Sequence, residues 1–235
     1  MTRHAGPAPS ETSDTVLALF VAVCAALAIA SAPWALGERW LNFVFKPLAT
    51  LGIITYAWRR GADRPYRRRW VLAGLWFSLG GDVALLWPQQ GFLPGLVSFL
   101  IAHLCYLVAF TRGVRLAASP APFVFYAGVA GAILALLWPG VPGPLRAPVL
   151  AYVVCLAAMG AQAAVLWRRG EPRGAVLAAG GALFVASDAI LATNRFATPL
   201  PTASLLILAT YWSAQWCIAS WLAPRGAAPT MGSAS

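Results

Sequence analysis

The feature that most limits this chain is a series of eight continuous apolar runs, each about 17–21 residues long. Their limits fall near Thr15–Ala32, Trp40–Trp58, Trp70–Trp87, Leu93–Phe110, Pro122–Trp138, Ala147–Trp167, Gly174–Asn194 and Thr202–Leu222. A helix of about 20 apolar residues crosses the hydrocarbon core of a bilayer. Lipid offers backbone N–H and C=O groups no partners, so a spanning segment must satisfy them within itself. A membrane β-barrel would alternate apolar and polar residues, and these runs do not. Hydrophobic residues make up 60% of the chain and charged ones 10%, which excludes an ordinary soluble domain. The expected fold is an all-α polytopic bundle of eight transmembrane helices over residues 15–222. The polar segments 1–14 and 223–235 are expected to be disordered cytoplasmic tails.

The charges agree with this count. Lys46 is the one lysine, and thirteen of the sixteen arginines fall on one side of the expected membrane. They lie in the tails and in the loops after spans two, four and six, the first of which carries Arg59, Arg60, Arg64, Arg67, Arg68 and Arg69. Only Arg39, Arg146 and Arg195 fall on the other side. The positive-inside rule then puts both termini in the cytoplasm, with a bacterial inner membrane as the expected location. A net charge of +10 in a soluble protein would suggest nucleic acid, but here the arginines flank apolar spans and meet membrane phospholipid, so no nucleic-acid partner is expected. Tryptophans at span ends, Trp221 among them, read as an interfacial belt. The four cysteines lie inside spans without metal-ligand spacing.

Two acids break the apolar pattern. Asp82 ends Leu79-Gly80-Gly81-Asp82 and Asp188 ends Val185-Ala186-Ser187-Asp188, whereas the other five acids fall in the tail or in loops. A carboxylate inside a membrane costs roughly 2.5–3.5 kcal/mol on insertion scales, so each is a functional candidate by default. Topology converts position into depth. Lys46, Asp82, His103, Asp188 and Tyr211 all fall six to ten residues from the outer end of their spans. At a rise of about 1.5 Å per residue, that layer lies roughly 9–15 Å below the outer surface. Asn42, Lys46 and Thr50 form a stripe at i, i+4, i+8; His103 and Tyr106 share a face, as do Tyr211 and Gln215. Asn194 and Arg195 fall at the rim. The simplest arrangement is a polar cavity open toward the outer face. Each residue also has a structural role open to it: Lys46 can snorkel to the interface, and His103, Tyr106, Tyr211 and Gln215 can be interhelical hydrogen-bonders.

Phe45-Lys46-Pro47-Leu48, Gly81-Asp82-Val83-Ala84-Leu85, Gly91-Phe92 with His103 and Tyr106, Gly181-Ala182-Leu183-Phe184 running into Ser187-Asp188-Ala189-Ile190-Leu191-Ala192, and Tyr211 with Gln215 occur in this order. In this the chain resembles the YhhN family of lysoplasmalogenases from about Leu41 to Leu222. The resemblance implies an eight-helix membrane hydrolase that cleaves the vinyl ether of lysoplasmalogens to a fatty aldehyde and a glycerophospho-alcohol. It implies Asp82 and Asp188 as the catalytic pair. Lys46, Asn42, His103, Tyr106, Tyr211, Gln215 and Asn194 are then candidates for holding the lysophospholipid, Lys46 at its phosphate. No cofactor and no metal are called for.

The chemistry suits such residues. A vinyl ether hydrolyses by protonation at carbon, giving an oxocarbenium ion that water captures. One carboxyl must therefore hold a proton, while an ionised partner stabilises the cation and orients water. Two carboxyls in one site titrate as a unit, and glycosidases meet an oxocarbenium-like state with a similar pair. The small residues Gly180, Gly181 and Ser187 are expected to let helices close around the lipid tail. Other readings use the same residues: a proton-coupled transporter of a small amphiphile, a metal-dependent lysolipid hydrolase built on Asp82, Asp188 and His103, and a non-catalytic scaffold.

Overall fold

The computed structural model describes residues 9–224, which contain no strand and eight α-helices. These are α1 (Pro9–Ala30), α2 (Arg39–Trp58), α3 (Pro65–Ala84), α4 (Phe92–Thr111), α5 (Pro120–Leu137), α6 (Arg146–Arg168), α7 (Gly174–Phe196) and α8 (Ala203–Trp221). Each expected span corresponds to one helix, with shifted ends. The α1 helix begins at Pro9, inside the segment expected as a tail. Residues 1–8 and 225–235, the rest of both expected tails, lie outside the described residues. Pro65 opens α3, where its fixed φ is already helical and its missing N–H is not needed. Arg67, Arg68 and Arg69 therefore belong to this helix and not to the loop before it. At its far end α3 stops at Ala84, three residues before the expected Trp87. The turn that follows needs Gly91, because a Cβ there would lie 1.8 Å from the Ala84 carbonyl oxygen.

Five of the helices, α1, α4, α5, α6 and α7, are long and apolar enough to cross a membrane. The other three fall short because they carry polar groups: Asn42 and Lys46 in α2, three arginines and Asp82 in α3, Tyr211 and Gln215 in α8. These three helices pack against one another. Lys46, Arg67, Asp82, Tyr211 and Gln215 are buried among these helices, whereas Arg69 is exposed.

Packing is close around small residues. A Cβ on Gly74 would lie 2.3 Å from the Tyr106 ring, so α3 accepts that ring only because residue 74 has no side chain. Gly180 abuts Cys217 and Ala214 of α8, and Gly181 abuts Gly160 and Ala163 of α6. These two glycines pack helix on helix and not on a lipid tail as expected. At the edge of the bundle, α5 packs along α6 and meets α7 only sparsely. Its Val124, Phe125 and Leu136 face outward.

Arginines lock one end of the bundle. Arg60 donates to the Leu222 carbonyl and to Asp14, both at 2.9 Å, and the N–H of Gly61 donates to the Ala223 carbonyl at 2.8 Å. Arg67 donates to Glu171 and to the Arg112 carbonyl, and its guanidinium lies 4.8 Å over the Trp221 ring. That stacking leaves Trp221 buried, where a belt residue was expected. Glu171 also accepts from Arg64 at 2.5 Å. Burial pushes the Glu171 carboxyl up, but Arg67 and Arg64 outweigh it and hold the group below its ordinary value. The start of α1 and the end of α8 both meet this arginine-rich end.

Candidate active site

At the opposite end lies a polar cavity of about 330 Å³. The first turns of α2 and α8 and the last turns of α3 and α7 surround it, so residues distant in sequence meet there. Asn42, Lys46, Asp82, Asp188, Asn194 and Tyr211 all line it, and Arg195 and Ser204 join them, whereas His103, expected in the same layer, does not.

Donors surround Asp82. Its Oδ2 accepts from the Thr50 hydroxyl at 2.6 Å and from the Tyr211 phenol at 2.8 Å. Its Oδ1 faces the Lys46 ammonium at 3.6 Å. The Thr50 oxygen in turn accepts from the Trp212 indole at 3.2 Å. The helical stripe explains half of this cage, since Lys46 and Thr50 are one turn apart on α2. Lys46 does not snorkel: it is 6% exposed and turns inward to its counter-ion. Two charges withdrawn from water are tolerable together, with lone pairs satisfied, and costly apart.

The surroundings of Asp188 are sparser. Its Oδ2 accepts from the Tyr152 phenol of α6 at 2.5 Å. Among the described residues it has no second hydrogen-bond partner. The neighbouring Ser187 donates to the Ile207 carbonyl at 3.0 Å and ties α7 to α8. Besides the polar cavity, Asp188 lines an apolar pocket of about 90 Å³ between α5, α6 and α7, with α4 at its side. No hydrogen bond joins Asp82 to Asp188. They are two walls of one cavity, each with its own donors.

Three candidates lie beneath the cavity and not on its surface. The Tyr106 phenol donates to Gln215 Oε1 at 2.6 Å, and both side chains are fully buried. Gln215 sits one turn deeper on α8 than Tyr211, so this pair braces the helix that carries the Asp82 donor. The His103 ring is wedged edge-on between Phe184 and Tyr152, 4.6 Å and 5.2 Å away between centroids, and among the described residues neither of its nitrogens has a hydrogen-bond partner. His103 therefore does not meet Asp82 and Asp188 as a third ligand, and among the described residues no three His, Cys, Asp or Glu side chains gather. Asn194 reaches the cavity, but its Oδ1 accepts from the Leu200 N–H at 2.8 Å and fixes the loop into α8. The Arg195 guanidinium lies 5.0 Å over the Phe92 ring.

Thr50, Trp212 and Tyr152 are site residues that sequence reasoning did not single out for the site. Tyr152 had a signal. It lies six residues past Arg146 at the start of α6, a distance from its helix end shared by the other cavity groups. Trp212 had none, since only the packing of α8 on α2 brings its indole to Thr50.

The YhhN family profile matches residues 41–222. The chain belongs to the YhhN family. The match spans every cavity residue from Asn42 to Tyr211. The lysoplasmalogenase TMEM86B of Sus scrofa is 36% identical over 181 residues, which is 75% of this chain and 73% of that protein. The lysoplasmalogenase TMEM86A of Homo sapiens is 38% identical over 154 residues, 63% of each chain. An uncharacterized membrane protein YhhN of Escherichia coli O157:H7 is 34% identical over 121 residues, 51% of this chain and 57% of its own length. No solved structure matches. With its five long apolar helices, this YhhN-family chain is an integral membrane protein.

Proposed function

We propose that this YhhN-family protein is a membrane lysoplasmalogenase, hydrolysing the vinyl ether of single-tailed alkenyl glycerophospholipids. All eight helices cross the membrane, with the arginine-rich end and both termini in the cytoplasm and the cavity in the outer half of a bacterial inner membrane. One observation carries the reading: two intramembrane aspartates from separate helices line a single polar cavity that adjoins an apolar pocket. Relatives named lysoplasmalogenase support the bond assigned.

Proton accounting divides the roles. Both oxygens of Asp82 already face donors, so it serves as the ionised partner. Asp188 has one oxygen without a donor, which can carry the proton. Asp188 protonates the enol-ether carbon remote from oxygen, leaving an oxocarbenium ion that the Asp82 carboxylate stabilises. Water adds to the cationic carbon and gives its proton to Asp82. The hemiacetal then collapses. Its hydroxyl proton returns to Asp188, and Asp82 protonates the departing glycerol oxygen, releasing aldehyde and glycerophospho-alcohol. Tyr211, Thr50 and Lys46 position Asp82, and Tyr152 positions Asp188. Tyr106, Gln215 and His103 are positioning residues in the layer beneath. Arg195, which has no carboxylate partner among the described residues, holds the lipid phosphate at the rim, since Lys46 is engaged by Asp82.

The test is incubation of purified full-length protein with an alkenyl lysophospholipid and its acyl analogue, measuring aldehyde and fatty acid. Aldehyde from the wild type, lost in folded Asp82→Asn and Asp188→Asn proteins, is the expected result. Fatty acid in place of aldehyde would move the reaction to an ester. No product from either lipid would end the hydrolase reading.

A further inference from the structure

The apolar pocket has no place in the chemistry just described, yet it shares Leu85, Phe92, Phe99, Asp188 and Leu191 with the polar cavity. Its only side chains with hydrogen-bonding groups are Tyr152 and Asp188, which are bonded to each other. The remaining lining is aliphatic or aromatic, and small residues widen it at Ala130 on α5 and Ala157 on α6. From Tyr152 to Ala157 the wall runs roughly 8 Å deeper into the membrane, since α6 heads from the cavity toward the arginine-rich end. The sparse contact of α5 with α7 leaves this slot between them.

We propose that this slot is the binding site for the hydrocarbon tail of the substrate, and that its inner end at Ala130 and Ala157 limits the tail length that gains affinity. The proposal rests on the lysoplasmalogenase reading for the identity of the lipid. The argument for the occupant is continuity. A single-tailed lipid has one junction between polar head and hydrocarbon, and the scissile vinyl ether lies at it. Asp188 is the one ionisable side chain that belongs to both chambers. A head under Arg195 and a tail in the slot bring that junction to Asp188. At about 90 Å³ the slot has no room for two chains side by side. A second acyl chain has no equivalent place there.

Saturated ether lysophospholipids with butyl, octyl, dodecyl and hexadecyl tails test this, because they bind without being cleaved. Binding to the purified full-length protein is read by native mass spectrometry. In the wild type, affinity rises by up to about fourfold per added methylene until the slot is filled. Ala157→Phe and Ala130→Phe each move the plateau to shorter tails. Dodecyl binding falls about tenfold or more, and butyl binding stays within about twofold. Leu136→Phe, on the outward face of α5, changes neither. Two variants on different helices guard against one that does not fold. Folded variants whose affinities are unchanged, or reduced equally for every tail, overturn the slot. Aldehyde release from an alkenyl lysophospholipid is measured beside it. Aldehyde with length-blind changes keeps the enzyme and removes the slot, whereas length-selective binding without aldehyde keeps the slot and removes the enzyme.

Discussion

Asp82 and Asp188 end similar tetrapeptides on helices that run the same way, yet their surroundings differ in kind. Thr50, Tyr211 and Lys46 face Asp82, while among the described residues Asp188 has Tyr152 alone, and it borders an apolar pocket. Both carboxyls sit at comparable positions along their helices, but Asp82 is buried and Asp188 only partly so. Their neighbours set that difference. Gly81 lets the Phe99 ring close against α3, where a Cβ would lie 2.5 Å from it, whereas Ser187 spends its hydroxyl on a carbonyl of α8. Two matched acids become a fixed anion and a group with a free oxygen because different helices face them.

The sharpest way to break this comparison is to neutralise each acid. Asp82→Asn and Asp188→Asn should both lower aldehyde release by about 10²–10⁴-fold, the usual worth of a general acid or base. Their stabilities should diverge. Asp82→Asn strands the Lys46 ammonium, a loss of about 3–5 kcal/mol, while Asp188→Asn leaves no buried charge behind. Thermal melts of both proteins decide it; equal melting temperatures would remove the idea of a caged ion pair.

Adding Lys46→Met to Asp82→Asn sharpens the point. Replacing a buried pair by apolar side chains is often neutral, so the double variant should regain most of the lost stability and none of the activity. An unrescued melt would place the defect elsewhere in the cage.

A smaller effect separates the two tyrosines. Tyr152→Phe removes the one donor to Asp188 among the described residues and should slow turnover about tenfold or more, since Asp188 becomes an anion as it gives up its proton and a hydrogen bond to a charged group is worth about 1.5–3 kcal/mol. Tyr211→Phe leaves Asp82 with two of its three partners and should cost less. The reverse order of rates would contradict the role assignment.

The smallest change concerns the far end of the molecule, which should matter for stability alone. Glu171 is held below its ordinary range, so its contribution is present above the unfolded value of about 4.3 and is lost as pH falls through the lower folded value. Glu171→Gln should therefore destabilise the protein by about 1–3 kcal/mol at neutral pH. Melts from neutral pH downward should show the difference from wild type closing below about pH 4. A constant difference across that range would mean that Glu171 acts through packing and not charge.

How legible the site was in the sequence is clearest residue by residue. Lys46, Asp82, Asp188 and Tyr211 meet in one cavity because each lies at one depth in its helix. Depth follows from the helical rise and the position of charged loops, both written along the chain. His103 lies at the same depth but on a side of α4 that faces Phe184 and Tyr152, and so misses the cavity. Tyr152 had the right depth and passed unnoticed, because an isolated tyrosine in an apolar span looks like packing. The start of α3 lies before the arginines and not after them, because Pro65 opens a helix and charged residues continue it equally well.

By itself, the sequence determined eight helices and the positions along them at which the polar side chains lie. These depend on local hydrophobicity, helical rise and charge between spans. Tertiary structure alone decided which side chains meet, that Lys46 is spent on Asp82, that Asp188 keeps a free oxygen, and that an apolar slot opens beside it. Those depend on the rotation of each helix about its axis and on its neighbours. Both are set by close packing at residues such as Gly74, Gly81, Gly180 and Gly181, whose importance shows only when the facing side chain is known.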